Sequence, residues 1–295
     1  MQRLDPRQLL TLVLLTVLWG LNWPIMKLGV TDYPPLSFRA LSMIGGLPLL
    51  ALVLVVLKVP FRLERRHWPA LLLLTVTNMV FWQICIILAL KYLSSGRAAI
   101  LGYTMPIFSA LIGAWLFSTR LTARGWMGVS AAALGVSLLL WHELTGLAGR
   151  PLGVLLALFG AATWALGTQL LRRTRIDAAT LTLSFWMSAI STVVIAALAF
   201  VTERPQWKPP AGPAAWAILY NAVLIVGYTQ TAWFYLARTL PPLASTLSVM
   251  LIPVVGVFTG AVWLKEALHW QDYAAVLLMV VAIASVLWPA KTPTH

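Results

Sequence analysis

The side chains that could perform covalent chemistry are few, and they lie at the ends of apolar runs. The eight acidic residues are Asp5, Asp32, Glu64, Glu143, Asp177, Glu203, Glu266 and Asp272, and the four histidines are His67, His142, His269 and His295. A hard metal ion needs clustered carboxylates, and a hydrolase needs a nucleophile beside a buried base. The single cysteine, Cys85, lies in an apolar run. We therefore expect no catalytic residue, no metal site and no cofactor. A membrane-embedded lipid-modifying enzyme remains an alternative, to be recognised by carboxylates or histidines clustered inside the membrane.

Polar and aromatic side chains deep in apolar runs indicate noncovalent binding instead. Thr75, Asn78 and Trp82 are spaced three and four apart and share one helix face. Asn221 and Tyr228, seven apart, also align. Lipid offers no hydrogen bonds, so such groups must face protein or water. We predict an uncharged pocket for a flat apolar body with a small polar head, formed by Trp19, Asn22, Asn78, Trp82, Tyr103, Trp164, Tyr228 and Ser248, with Ser109 nearby. The alternatives are packing for the tryptophans and hydrogen bonds between helices for the polar residues.

The composition determines which elements must position these residues. Of the 295 residues, 60% are hydrophobic and 10% are charged, against about 25% charged in soluble domains. A transmembrane helix needs about 20 apolar residues, which predicts an all-α polytopic membrane protein with ten transmembrane helices. The expected spans are 8–30, 36–57, 68–91, 95–118, 123–141, 151–171, 178–201, 213–236, 241–264 and 271–289.

The net charge of +13 is explained by loops of a membrane protein. Lys and Arg accumulate in cytoplasmic loops, and no basic run interleaved with aromatics is long enough to grip nucleic acid. With the N-terminus inside, 13 of the 21 basic residues fall on the inner side and 8 on the outer, so both termini are expected in the cytoplasm. Lys27, Arg39, Lys91 and Arg97 lie toward outer helix ends, where we expect them to snorkel as anchors rather than contact a substrate.

The chain contains an internal repeat. A shift of 147 places Pro106 on Pro253 and Gly113 on Gly260, and a shift of 145 places Trp19 on Trp164. Five helices per copy is an odd number, so consecutive copies enter the membrane from opposite sides. We therefore expect two inverted five-helix repeats, 1–145 and 146–295, with a site between them near the midplane. Trp19 and Trp164 would then occupy equivalent positions on opposite walls.

Prolines and small residues mark candidate hinges and contacts at matching places in the two copies. Pro106 precedes Ser109-x-x-x-Gly113, and Pro253 precedes Gly256-x-x-x-Gly260. Small residues one turn apart allow helices to approach closely, and a proline inside a helix frees a carbonyl. The simplest interpretation is tight helix contact; the functional one adds bending at the two prolines during opening and closing.

The motifs resemble EamA-type members of the drug/metabolite transporter superfamily. They are Trp19-Gly-Leu-Asn22 with Lys27 and Arg39; the stretch from Ala89 to Leu140; and its second copy from Tyr235 to Leu287, with Trp263-Leu-Lys-Glu266. The resemblance implies ten helices, inverted repeats and export of metabolites, amino acids or toxic compounds. The opening is most similar to that of aromatic amino-acid and paraquat exporters. The first copy departs from the family at Ser118-Thr119-Arg120, where a Gly-Glu-Arg-like turn is usual, so the role of that glutamate does not transfer there.

Together these features predict an exporter of small aromatic or amphipathic metabolites, with aromatic amino acids favoured, in a bacterial cytoplasmic membrane. Its partners would be the small-molecule substrate and the lipid bilayer, and it would be a monomer or weak dimer. The absence of a titratable side chain from the predicted mid-membrane regions favours uniport over ion coupling. The alternative transport function is efflux of drugs or cations within the same superfamily. Outside transport, the alternative is a scaffold protein with a solidly packed interior.

Overall fold

The computed structural model describes residues 5–118, 121–145, 151–230, 232, 236 and 242–287; for 140, 142–145, 242–250, 286 and 287 it describes only the backbone. Ten helical stretches run through these residues, and no strand occurs among them. They are α1 (Pro6–Asp32), α2 (Pro35–Val56), α3 (Arg65–Tyr92), α4 (Ser95–Phe117), α5 (Ala123–Thr145), α6 (Pro151–Arg173), α7 (Thr180–Glu203), α8 (Gly212–Thr229), α9 (Pro242–Leu264) and α10 (Trp270–Leu287).

Seven of these helices, α1 to α4 and α6 to α8, are long and apolar enough to cross a membrane, and shorter apolar helices lie within α5, α9 and α10. The all-helical prediction is confirmed for the described residues. Apart from the end of α8, the helix ends lie within four residues of the predicted spans. Apolar runs and proline starts explain this agreement, because Pro35 and Pro213 stand in the first turn of α2 and α8, where no backbone donor is needed.

Helix ends recur at matching positions in the two halves. Ser118 ends α4 with a left-handed φ of 54°, and Lys265 follows α9 with a φ of 53°. These two residues are 147 apart. Non-glycine residues adopt this conformation uncommonly, so its appearance after both helices is a shared local feature of the two halves.

Helix packing follows the same pairing in both halves. Helix α1 packs against α8 and α9, whereas α6 packs against α3 and α4; α2 packs on α7 and α5 on α10. The main buried core lies where these helices meet, with Phe38, Leu90 and Ile100 fully buried. Exchanging the first five helices for the last five maps these contacts onto one another.

Candidate functional site

Three helices depart from regular α-helical geometry. A π-turn occupies Val76–Val80 in α3, and a longer π segment occupies Asn221–Thr229 in α8. Helix α4 is interrupted at Tyr103 and Thr104, between Ser95–Gly102 and Met105–Phe117. Such irregularities free backbone groups and re-aim side chains, and they occur frequently at functional sites. Each contains or adjoins a predicted substrate residue: Asn78, Tyr228 or Tyr103.

Four aromatic residues near these irregularities form what we term the aromatic cluster: Trp23, Trp82, Tyr103 and Trp164. Trp82 and Trp164 meet edge to face with ring centroids 5.5 Å apart, and Trp23 and Tyr103 do so at 6.2 Å. Gly102 lies between the two pairs. A Cβ placed there would come within 2.8 Å of the Trp23 ring and 3.2 Å of the Trp82 ring. The cluster is therefore continuous and joins α1, α3, α4 and α6.

Asn78 holds α3 to α6 beside this cluster. Its side-chain Nδ2 donates to the carbonyl of Trp164 at 3.4 Å and to Thr168 Oγ1 at 3.3 Å. Gly167 allows the close approach, since a Cβ there would lie 2.9 Å from the Asn78 backbone. In this conformation Asn78 makes interhelical hydrogen bonds, which is the structural alternative considered for it.

A second group of polar residues lies between α1, α2 and α8, and we term Asn22, Arg39 and Asn221 the buried polar cluster. All three are at least nine-tenths buried. Arg39 Nη1 donates to Asn221 Oδ1 at 3.5 Å, and Nη2 contacts Met26 Sδ at 2.8 Å. Arg39 Nε and Asn22 Oδ1 have no hydrogen-bond partner. Asn221 also donates from Nδ2 to the carbonyl of Ala217.

The prediction that Arg39 snorkels is wrong in this structure, because Arg39 is 4% exposed, whereas Lys27 and Arg97 have partners at helix ends. Lys27 Nζ donates to the carbonyls of Leu90 and Leu93, at the end of α3. Arg97 pairs with Asp272 at 2.8 Å, and the Arg39 guanidinium reaches inward to Asn221. Lys91, in contrast, is exposed.

The remaining predicted residues fall into different places. Trp19, half-buried, donates from Nε1 to Thr229 Oγ1 at 2.9 Å across the α1–α8 contact. Trp164 instead contacts Trp82 across the α3–α6 contact, so each of these tryptophans belongs to its own interface. Tyr228 is exposed. The side chain of Ser248 lies outside the described residues.

The predicted packing residues on α9 lie at close helix contacts. A Cβ at Gly256 would be 3.2 Å from Trp23 and from Ala99, and Gly260 packs directly on Ser95 and Glu266. Gly113 is buried in α4. The two prolines differ, because Pro253 lies inside α9 whereas Pro106 stands in the first turn of Met105–Phe117. The break in α4 comes before Pro106 rather than at it.

Carboxylates at helix ends act as ties between helices. Glu203 accepts from the backbone N–H groups of Leu36 and Ser37, at the start of α2. Glu266 accepts from Ser95 N at 2.7 Å and from Ser95 Oγ at 2.8 Å, at the start of α4. Anionic groups are favourable at helix N-termini. No group of three metal-ligating side chains occurs among the described residues.

Two grooves lie between α2 and α7. Their volumes are about 200 and 300 Å³, and residues such as Ile44 and Thr192 line them. None of the predicted substrate residues lines either groove.

Sequence inference missed Trp23, Gly102 and the inward direction of Arg39. Trp23 could have been found, because it lies four residues after Trp19 and directly follows Asn22. The sequence does not indicate the direction of the Arg39 side chain. An arginine one turn after the start of a helix can point either into the protein or outward.

Comparisons with known proteins agree with this architecture. The inner membrane transporter YedA of Escherichia coli (strain K12) is 27% identical over 301 residues, covering 97% of this chain and 95% of that protein. A probable amino-acid metabolite efflux pump of Salmonella typhimurium is 26% identical over 283 residues, covering 92% and 91%. A solved crystal structure matches with a TM-score of 0.65 at 19% identity, covering 96% of each chain, which shows a shared fold.

The family comparison covers nearly the whole chain in two copies. The model of the EamA-like transporter family matches residues 7–141 and again residues 151–288. With its apolar helices and its similarity to transporters, the chain is a multi-pass membrane protein, and it belongs to the EamA-like transporter family.

Proposed function

We propose that this transporter exports small aromatic or amphipathic metabolites, with aromatic amino acids as the favoured substrates, across a bacterial cytoplasmic membrane. The observation that carries this proposal is the aromatic cluster, which joins helices of both halves at the interrupted part of α4. Aromatic rings prefer edge-to-face or offset contacts worth about 0.5–1.5 kcal/mol beyond area burial. The similarity to an amino-acid metabolite efflux pump supports the same substrate class.

The mechanism we propose is alternating access by two inverted repeats of five helices, residues 1–145 and 146–295, with both termini in the cytoplasm. Three observations support it: the family model matches twice, π geometry occurs in the third helix of each half, and the main contacts of α1 with α8 and α9 are matched by those of α6 with α3 and α4. Rocking of one half against the other would open the aromatic cluster first to one side and then to the other. We expect a monomer or weak dimer.

The positions of the described carboxylates favour uniport, that is, transport that is not coupled to an ion. Glu203, Glu266 and Asp272 lie at or beyond helix ends, where each is engaged by backbone donors or by Arg97. A carboxylate used as a proton carrier must exchange its partner during transport. We propose downhill movement driven by the substrate gradient and, for a charged substrate, by the membrane potential at about 2.3 kcal/mol per charge per 100 mV.

Efflux of drugs and organic cations, the other transport function considered, is less favoured here. The buried Arg39 guanidinium contacts Met26, and Met26 lies on α1, the helix that also carries Trp23 of the aromatic cluster. The guanidinium is therefore close to the aromatic cluster. A fixed positive charge in a low-dielectric region repels a cationic substrate strongly.

Uptake of labelled L-phenylalanine into liposomes containing the purified protein tests the proposal. Amino acids, nucleobases and organic cations serve as unlabelled competitors, and protein-free liposomes give the background. We expect aromatic amino acids to compete best and Trp164→Ala to reduce uptake with normal protein yield. Phe200→Ala, on the exposed side of α7, is the matched control. Preferred competition by nucleobases or organic cations would refute the substrate class.

The coupling is tested in the same liposomes with an imposed pH or sodium gradient. A uniporter equilibrates a zwitterionic substrate without accumulating it. Accumulation above equilibrium that an ionophore abolishes would show coupled transport instead.

A further inference from the structure

Arg39 is a buried cation that lacks an acidic partner in the described part of the chain. Its side chain lies in a residue that is 4% exposed. The bond from Nη1 to Asn221 Oδ1 is 3.5 Å long, and Nη2 contacts a thioether, which is a weak acceptor. Nε has no partner. A guanidinium with five N–H donors is therefore served by two weak acceptors.

Asn22 supplies the complementary unpaired group. It is 8% exposed, and its Oδ1 accepts no hydrogen bond. Asn22 lies four residues before Met26 on α1, so the two side chains share one helix face. Because Arg39 contacts Met26, Arg39 packs on the helix face of α1 that also carries Asn22.

An uncompensated buried charge and an unpaired buried amide are both costly. A ligand that pairs with both would recover that free energy on binding. The planar guanidinium matches a carboxylate, with which it forms charge-assisted hydrogen bonds. An amide oxygen matches an ammonium group. An α-amino acid carries a carboxylate and an ammonium on one carbon atom.

We propose that Arg39 and Asn22 form the head-group site of this transporter, where Arg39 binds the carboxylate and Asn22 binds the ammonium of a zwitterionic amino acid. This inference rests on the proposed function and narrows it. Trp23, which pairs with Tyr103, lies three residues before Met26 on α1 and so shares a helix face with the methionine that Arg39 contacts. This places the aromatic cluster next to the head-group site. The substrate side chain lies against that cluster, and organic cations without a carboxylate are rejected.

Three ligands that differ only in the head group test this assignment. L-Phenylalanine has both charged groups, phenethylamine lacks the carboxylate, and 3-phenylpropionate lacks the ammonium. Binding of each is measured on the purified full-length protein by competition with labelled L-phenylalanine. We expect removal of the carboxylate to weaken binding by about 10- to 100-fold, the size expected for hydrogen bonds to a charged group. We expect a smaller loss on removal of the ammonium.

The variants assign each loss to one side chain. In Arg39→Gln, L-phenylalanine and phenethylamine should bind with equal affinity. In Asn22→Leu, L-phenylalanine and 3-phenylpropionate should bind with equal affinity. For variants that bind too weakly for the competition assay, binding of each ligand is measured directly from the increase that the ligand causes in the thermal unfolding temperature. Arg175→Gln removes an exposed positive charge and should retain every wild-type ratio. If Arg39→Gln does not fold, Arg39→Lys is used, and its preference for carboxylate-bearing ligands should fall but keep its direction.

The outcomes separate this assignment from the proposed function. If the wild type takes up L-phenylalanine while Arg39→Gln binds all three ligands with the wild-type ratios, the head-group site is refuted and the function stands. Equal binding of phenethylamine and L-phenylalanine by the wild type also refutes it. If the wild type takes up no amino acid, the proposed function fails, and the head-group site fails with it.

Discussion

Arg39 and Arg97 are both withdrawn from the surface, yet their surroundings differ. Arg97 forms a two-point contact with Asp272, from Nε at 2.8 Å and from Nη2 at 3.3 Å, and so joins α4 to α10. Arg39 has an amide at 3.5 Å and a thioether. Complete pairing stabilises a fold, whereas a buried charge without a carboxylate is costly to keep. The difference assigns Arg97 to structure and leaves Arg39 available for a ligand.

The same contrast separates the two amides near the centre. Asn78 donates to two acceptors on α6, while the oxygen of Asn22 has none. The side chains that tie helices together have their partners within the protein. In the buried polar cluster, by contrast, Asn22 Oδ1 and Arg39 Nε have no partner. If this division is correct, substitutions on its two sides should differ in their effect on stability.

Breaking the Arg97–Asp272 pair should have the largest effect. Asp272→Asn leaves the Arg97 charge buried without its counter-ion, so we expect the free energy of unfolding to fall by about 3–5 kcal/mol. Denaturant titration of the purified protein in micelles measures it. Glu64→Gln is the matched control, because its pair with Arg66 is exposed on both sides and contributes at most about 1 kcal/mol. Equal effects of the two substitutions would contradict the structural role of Asp272.

Weakening a carboxylate tie should have an intermediate effect. Glu266→Gln removes the charge that accepts from the first N–H groups of α4, and we expect a loss of about 1–2 kcal/mol. Glu203→Gln, which acts on α2 in the same way, should cost a similar amount. Unfolding free energies that match the wild type would show that these caps are not needed.

Removing the Arg39 charge should affect transport rather than stability. Arg39→Met eliminates a buried charge without orphaning a carboxylate, so we expect stability within about 1 kcal/mol of the wild type, or higher. Uptake of L-phenylalanine should nevertheless be lost. A loss of stability as large as that of Asp272→Asn would place Arg39 with the structural residues.

The prolines extend the test to motion and should change stability least. Pro253→Ala adds a backbone donor inside a continuous helix, so we expect slower uptake with unchanged ligand affinity. Pro106→Ala changes a first-turn position that needs no donor and should leave the uptake rate near that of the wild type. A similar slowing in both variants would restore the symmetric hinge that the sequence suggested. Weaker binding with normal turnover would indicate that Pro253 shapes the site.

Much of the helical framework could be predicted from the sequence because it depends on local composition. Apolar runs, proline starts and charged loops define the helices within a few residues. The π-turns of α3 and α8 could not be predicted, since Val76–Val80 and Asn221–Thr229 contain ordinary helix-compatible residues. Their geometry depends on packing between helices that are distant along the chain.

The candidate site was predictable in its residue types but only partly in its arrangement. Asn78, Trp82, Tyr103 and Trp164 adjoin one another as expected of a shared site, because polar groups such as the Asn78 amide are costly to expose to lipid. Trp19 belongs to a different contact, and Arg39 has an inward direction that a helix position does not determine. Which side chain finds which partner is decided by tertiary packing.

The Glu266 cap also determines how α4 and α9 can separate. It fastens the segment after α9 to the start of α4, beside the tight contact of Gly260 with Ser95. Because the two helices are joined at this end, they can separate only by rotating about the contact between Glu266 and Ser95. Helix α4 has 23 residues and is about 35 Å long at 1.5 Å per residue. A rotation of about 10° around the tied end moves the far end by about 6 Å. A small angular change at a fixed carboxylate therefore opens a gap as wide as an aromatic ring at the opposite end of the pair.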